Sequence, residues 1–293
     1  MACAKYFLSQ TKPGFNQQKA KEFIKCALKE DIGRGDITTR LNIPKKLHAQ
    51  AKIIAREDFL LCGIELAKWV FKTFDPGLMF KAQVKEGSLV TNNQILAIIS
   101  GNARSILTSE RVALNLLSFL SGIATKTLKF TQKIQPFKAK ITDTRKTIPG
   151  LRDLQKYAIR IGSGYNHRMC LDEMVLIKDN HLKIIGGINR LPKVPLGCKI
   201  EIEAQNLKEF QRALVLAPDI IMLDNMQIKD IQKAVKIRNQ KKNGRQSFTT
   251  LLEASGGIHL GNIKKYAATG VDLISVGELT DSIQSTDISL ELC

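Results

Sequence analysis

Apolar positions recur along the chain with two different periods, and the changes between them outline its elements. From Asn16 to Glu30 the stretch NQQKAKEFIKCALKE spaces its apolar residues for one helix face, and Gly33 and Gly35 in DIGRGD stop it. Between Ala49 and Ser100 the pattern shortens to β-rich pieces, AKIIA, FLLCG, LMFKAQV and QILAIIS. One helical piece, IELAKWVFKTF, intervenes and ends at the turn Asp75-Pro76-Gly77. This first part reads as a small α+β domain.

A long helix is expected from near Arg104. Ile106, Ala113, Leu117 and Leu120 make one apolar stripe at helical spacing. Arg111, Asn115, Ser118, Gly122 and Thr125 make a second face, polar yet nearly free of charge after Arg111. Solvated faces carry Lys and Glu, so this one is expected to pack against a second subunit or a ligand cleft. Beyond it the apolar runs AKIT, MVLI, KIEIE, DIIML, FTTLLEA and VDLISV alternate with helical patterns such as RDLQKYAIRI, NLKEFQRALVLA and IKDIQKAVKI. Short connections between them imply parallel βα units. Six units in roughly 150 residues fall short of a closed eight-stranded barrel, which takes about 250. An incomplete, open barrel is expected, with a doubly wound sheet as the alternative.

Composition narrows the class. The 293 residues are 44% hydrophobic and 25% charged, enough apolar mass for a sizeable core. No uninterrupted apolar run of about 18 residues is present, so no membrane span is expected. The opening MACAKYFLSQTKPGF has too short an apolar patch for a secretory signal. Six scattered cysteines lack CxxC pairs and matching histidines, which argues against a disulfide frame or zinc site and for a reducing cytoplasm. Lys+Arg exceed Asp+Glu by 45 to 27, giving +18, and such an excess attracts polyanions. The densest basic run, KIRNQKKNGR at Lys236 to Arg245, has no interleaved aromatics, and aromatics are only 6% of the chain. Stacking platforms for nucleic acid are therefore poorly supplied, and a charged small substrate is the better reading.

Each apolar run of the second half empties into a polar or glycine signature. These are Asp143-Thr144-Arg145-Lys146, Lys178-Asp179-Asn180-His181, Glu201 with Glu203, Asp224-Asn225, Glu253 with Ser255-Gly256-Gly257, and Ser275 with Gly277. One charged exit residue alone is a loop solubiliser or a helix cap. Six together mark a shared site, because parallel α/β folds gather the C-terminal ends of their strands at one mouth. Arg145, Lys146, Arg168 and Lys178, with His167 beside them in the NHR triplet, supply cations that can grip carboxylates or phosphates. Glu203 and Asp224 can hold a divalent metal, orient ribose hydroxyls or stabilise a cationic transition state. The late glycine turns offer backbone N–H groups to a phosphate. The residues thus describe an enzyme for a small polyanionic substrate bearing a phosphate.

Nearly the whole chain resembles the quinolinate phosphoribosyltransferase family, through EDIGRGDITT, SERVALNLLSFLSGIAT, DTRKTIPGLR, YNHR, LIKDNH, IEIE, MLDN, LEASGGI and VDLISVGELT. The resemblance implies an α/β fold with a small N-terminal α/β sandwich domain over 1–108 and an incomplete (open) α/β barrel over 109–280. A tail over 281–293 would pack back on the first domain. It implies transfer of phosphoribose from phosphoribosyl pyrophosphate to quinolinate with magnesium (Mg2+) and decarboxylation, in a homodimer or higher oligomer with interfacial active sites. Arg145, His167, Arg168 and Lys178, with Lys146, then resemble the pocket for the two quinolinate carboxylates, and Arg111 would enter it from the neighbouring subunit. Glu203 and Asp224 resemble the ribose- and magnesium-side carboxylates, with Lys146 and Lys178 also catalytic candidates. Ser255, Gly256, Gly257, Ser275, Val276 and Gly277 resemble the 5-phosphate cradle. Ser163 departs from the family's usual glycine before the NHR triplet. Rival readings are a nicotinate-specific phosphoribosyltransferase without decarboxylation, a Schiff-base lyase using Lys178, and a basic nucleic-acid-binding protein.

Overall fold

The computed structural model describes residues 14–187, 189–242 and 250–293. The opening segment read for a secretory signal and the end of the basic run, 243–245, lie outside the described residues. The chain forms two compact units interleaved in sequence rather than divided by one cut near residue 108. The first comprises the described residues up to Leu128 with Ile148–Ser163 and Ile283–Cys293. The second comprises Lys129–Thr147 and Gly164–Ser282.

The first unit is built on an antiparallel sheet. Its strands are β1 (His48–Ala55), β3 (Met79–Ala82), β5 (Ile95–Asn102) and β12 (Ile288–Leu292), in the order β12-β1-β5-β3. A separate ribbon pairs β2 (Phe59–Leu60) with β4 (Leu89–Val90). The C-terminal strand β12 thus completes the sheet on the outer side of β1. The helix Gln17–Ile32 begins where Asn16 accepts the Lys19 N–H and ends where Gly33, at φ +55, caps Lys29. The helix Ile64–Phe74 starts with no side-chain cap of its own. Glu86 supplies one, accepting the N–H groups of Gly63 at 2.6 Å and Ile64 at 3.1 Å.

The helix Ala103–Lys133 buries Ile106, Ala113, Leu117 and Leu120 completely. By length and composition it can cross a membrane, which the sequence pattern was not expected to allow, yet it is a packed core helix here. Its second face differs from expectation. Arg111 and Asn115 are exposed, whereas Thr125 accepts the Leu60 N–H and the Ser118 carbonyl accepts the Thr286 N–H. Gly122 packs against the segment that leads into β12. A Cβ there would lie 2.3 Å from the carbonyl oxygen of Gln284 and 3.2 Å from Ser285 Cα. The lack of charge therefore reflects contact with the chain's own C-terminus as well as an open end at Arg111.

The second unit is a six-stranded parallel sheet of β6 (Lys140–Thr142), β7 (Met174–Ile177), β8 (Lys199–Ala204), β9 (Ile220–Asp224), β10 (Leu251–Ser255) and β11 (Leu273–Ser275). Their order is β6-β11-β10-β9-β8-β7, so the first two strands of the series sit at the two edges and do not pair. That arrangement is an open barrel. Near-continuous apolar strands such as β9, four of whose five residues are buried, are what a parallel sheet covered on both faces requires.

The close approach at Gly122 generates the first prediction. Gly122→Ala should push the Gln284–Thr286 segment away and lower the unfolding free energy by about 1–3 kcal/mol, the usual range for overpacking. Denaturant unfolding reads the loss, and amide exchange should quicken in β12 first. Unchanged stability with unchanged exchange would show that the segment yields freely.

Candidate active site

A buried polar frame is set into the parallel sheet by residues of β6, β8, β10 and β11 together with the NHR segment. Nε2 of His167 lies 3.0 Å from Glu201 Oε2 on β8 and 3.6 Å from Glu253 Oε2 on β10. The other ring nitrogen, Nδ1, accepts the Arg168 N–H at 2.9 Å. Ser275 on β11 donates from its hydroxyl to Glu253 Oε1, and its Oγ is 3.1 Å from Thr142 Oγ1 on β6. All five side chains are buried. Burial, reinforced by the charge of Glu201, pushes the Glu253 carboxyl up to about 8.

Asp143, directly after β6, is fully buried and anchors the NHR segment. Its Oδ1 accepts the His167 N–H at 2.8 Å and its Oδ2 accepts the Asn166 amide at 2.6 Å. Backbone bonds from Tyr165 to Ile141 and from Asp143 to Tyr165 lay this segment alongside β6. Asp143 is therefore a scaffold group, not a substrate ligand. Ser163 sits upstream at φ +66, a left-handed conformation that glycine adopts with less strain.

Two guanidinium groups stand together above this frame. Arg168 donates from Nη1 to the Met174 carbonyl at 2.9 Å. Its pKa is held below the usual arginine value by burial first and then by the charge of Arg145, with Glu201 partly compensating. Arg145 is half-buried, and its Nε is buried with no hydrogen-bond partner among the described residues. Two neighbouring cations with unused donors form a receptor for an anion. Lys146 lies close by. Its carbonyl accepts the Thr280 hydroxyl at 2.7 Å, and a Cβ on Gly277 would come within 3.2 Å of its Cδ.

A second cluster joins the ends of β7, β8 and β9. Burial raises the Glu203 carboxyl, the charge of Asp224 adds to the rise, and the Lys178 ammonium opposes it. Lys178 itself is exposed. Asp224 accepts the Asn225 amide at 2.9 Å, and Asn225 donates its backbone N–H to the Ser255 carbonyl at 2.8 Å. This locks Asn225 to the glycine turn. A Cβ on Gly256, at φ +96, would fall 2.2 Å from Asn225 Oδ1, so only glycine fits. Gly257 has open space where a side chain would stand.

The structure thus brings Arg145, His167 and Arg168 together, and separately Lys178, Glu203 and Asp224. The hydroxyl of Ser275, read as part of the phosphate cradle, is instead turned inward to Glu253, so the Ser275–Gly277 turn can offer only backbone. Arg111 belongs to the first unit, where its side chain is 64% exposed and 4.0 Å from the Glu110 carboxylate. Glu201 and Glu253 were read from the sequence as strand-exit residues without a role, and Thr142 was not singled out. Their signal was present in KIEIE and LLEAS, where a glutamate sits in an otherwise apolar parallel strand.

An open parallel barrel with paired guanidinium groups and paired carboxylates at its strand ends defines an enzyme for a small polyanion. Comparison with known proteins makes the class specific. Residues 36–121 match the quinolinate phosphoribosyl transferase N-terminal domain, and residues 123–291 match the C-terminal domain of the same family. A probable nicotinate-nucleotide pyrophosphorylase [carboxylating] of Methanocaldococcus jannaschii is 42% identical over 279 residues, covering 93% of this chain and 97% of that protein. Solved structures agree. NadC from Streptococcus pyogenes superposes with a TM-score of 0.88 at 33% identity, over 96% of this chain and 98% of its own. The nicotinate-nucleotide pyrophosphorylase of Francisella tularensis gives 0.87 at 37% identity, again over 96% and 98%. The chain belongs to the quinolinate phosphoribosyltransferase family.

The buried frame predicts a pH dependence of stability. Glu253 titrates near 8 in the folded chain and near the ordinary 4.5 when unfolded, so its contribution is complete below about pH 4.5 and is lost as pH rises towards 8. Glu253→Gln cannot ionise and should lose less stability than wild type across that window. Denaturant melts at pH 5 and pH 8 read the difference. Parallel pH profiles for the two proteins would show that Glu253 is ionised in the fold.

Proposed function

We propose that this mouth transfers phosphoribose from phosphoribosyl pyrophosphate to quinolinate, with decarboxylation, to give nicotinate mononucleotide, carbon dioxide and pyrophosphate for NAD synthesis. The observation that carries the proposal is the Arg145–Arg168 pair. Its two guanidinium groups repel one another, and the buried Nε of Arg145 has no hydrogen-bond partner among the described residues. A planar pyridine with two adjacent carboxylates matches that receptor, with Lys146 and Lys178 adding charge around it. His167 belongs to the same side of the mouth.

In this reading the pyridine nitrogen attacks the anomeric carbon as pyrophosphate leaves, through an oxocarbenium-like state. No side chain needs to form a covalent intermediate. The protein holds the two reactants in line and places negative charge from Glu203 and Asp224 near the developing positive centre. The turns at Ser255–Gly257 and Ser275–Gly277 offer backbone N–H groups to the 5-phosphate. Magnesium suits the same carboxylate pair, because Glu203 is raised partly by the charge of Asp224 and a divalent cation relieves that repulsion. Bound there, the ion would neutralise charge on the leaving pyrophosphate.

The reading extends to a homodimer in which Arg111 completes the neighbour's mouth, since its side chain is 64% exposed and its one ion-pair neighbour among the described residues is Glu110. A cytoplasmic setting fits the free thiols of Cys26, Cys62, Cys170, Cys198 and Cys293. Neither nucleic acid nor a membrane enters this reading. Incubation with quinolinate, phosphoribosyl pyrophosphate and magnesium should yield nicotinate mononucleotide with one equivalent of carbon dioxide. Product from nicotinate without carbon dioxide would place the chain with the non-decarboxylating enzymes instead.

Two variants sharpen the assignment. Arg145→Lys keeps the charge but loses the planar fork, and a lost charge-assisted hydrogen bond of about 1.5–3 kcal/mol weakens quinolinate binding roughly ten- to hundredfold. Calorimetric titration reads it, and wild-type affinity would remove Arg145 from the pocket. Arg111→Ala and Lys178→Ala should each be nearly inactive alone. After mixing with verified subunit exchange, about half the dimers are mixed and carry one intact mouth, so recovery should approach roughly a quarter of wild-type activity. No recovery would mean that Arg111 does not complete a neighbour's site.

A further inference from the structure

We propose that Glu253 is a positioning residue that sets the pocket's selectivity for a pyridine with two carboxylates, acting through His167 and the Arg168 backbone. The inference rests on the reaction proposed above. Both ring nitrogens of His167 are turned to buried protein groups. Its Nδ1 is occupied by the Arg168 N–H at 2.9 Å, and its Nε2 faces Glu201 at 3.0 Å and Glu253 at 3.6 Å. The ring is only 7% exposed. Its influence on the pocket therefore passes through its neighbours.

Arg168 is the neighbour that matters. It is tethered at both ends, by its backbone N–H to the His167 ring and by Nη1 to the Met174 carbonyl. Those two bonds set the direction of the remaining guanidinium donors. The ring that holds the first tether sits between carboxyl groups from β8 and β10. With neighbours on two different strands, the buried ring has little room to turn about its Cβ–Cγ bond. Glu253 is steadied in turn by the Ser275 hydroxyl, which lies 3.1 Å from Thr142 at the end of β6. Thr142 leads through Asp143 into Arg145. The frame that orients Arg168 is thus continuous with the strand that presents Arg145, and the spacing of the two arginines is set from beneath. A receptor for two adjacent carboxylates needs that spacing, and a receptor for one does not.

Glu253→Gln tests the proposal, because the amide keeps the shape and can still accept from Ser275 while presenting a different group to His167. The quinolinate KM should rise roughly tenfold or more, the scale of one misplaced charge-assisted bond, while the phosphoribosyl pyrophosphate KM stays within about twofold. Inhibition by nicotinate, with its single carboxylate, should change little. His167→Asn should raise the quinolinate KM similarly, and the double variant should be no worse than His167→Asn alone. A folded Glu253→Gln protein with a wild-type quinolinate KM, an equal rise in both KM values, or losses that multiply in the double variant would overturn the proposal. Nitrogen-15 spectra of the wild-type imidazoles give a readout that needs neither folding of a variant nor turnover. His167 should show an unprotonated Nδ1, and a protonated Nδ1 would overturn the proposal. Wild-type turnover with quinolinate tests the reaction separately, so an inactive wild type bearing the expected tautomer would sink the reaction reading and not the geometry.

Discussion

The mouth depends on carboxylates withdrawn from water inside a parallel sheet. Asp143 directly after β6, and Glu201 and Glu253 inside β8 and β10, are each fully buried, where an isolated charge would cost several kcal/mol. Each is tolerated because it is spent on something specific. Asp143 takes two hydrogen bonds from the NHR segment, Glu201 faces the His167 ring, and Glu253 takes a proton or the Ser275 hydroxyl. With this frame in place, the loops above it need no internal core. They can carry arginines with unused donors because their backbones are already fixed.

The division of labour follows from the topology. Strands β6, β10 and β11 are neighbours, so Thr142, Glu253 and Ser275 meet, and the Tyr165 backbone adds the NHR segment against the outer side of β6. Strands β7, β8 and β9 are neighbours on the other side, so Lys178, Glu203 and Asp224 meet there. Glutamates two residues apart on β8 illustrate the point. Glu201 belongs to the buried frame, while Glu203, nearer the strand end, has its carboxyl raised by burial and by Asp224 and opposed by Lys178. Same-face spacing along a strand gives both side chains the same direction, and position along the strand alone separates their surroundings.

Much of this was legible in the sequence because it is periodic. The helix Ile64–Phe74 and the six parallel strands follow directly from apolar runs and their turn signals, as does the start of the long helix. The short helix Ile37–Asn42 and strand β4 were not legible, since two to six residues carry too little periodicity. The candidate cations and carboxylates were found because charge at the exit of an apolar run is conspicuous. Glu201 and Glu253 were seen but not assigned, because a strand pattern cannot say which polar residue faces a neighbouring strand's histidine. The uncharged face of the long helix was read as an interface. The sequence could not show that part of it is covered by Gln284 and Ser285, because that contact closes a loop of more than 150 residues, far beyond any local pattern.

Selectivity of this mouth should therefore reside below the arginines proposed to hold the substrate. Arg145 and Arg168 are chemically alike, and either alone would accept any carboxylate or phosphate. What distinguishes one anion from another is the distance and angle between them. The arginines are long and flexible, and their mutual repulsion pushes them apart, so that geometry cannot come from the arginines themselves. It must be imposed by short, buried groups with few rotatable bonds. The Thr142–Ser275–Glu253–His167 series has that character, because each member is buried and in contact with the next. A protein that needs a rigid anion receptor on mobile side chains gains it by making the layer beneath them rigid, and the buried charge that looks costly for stability is the means of doing so.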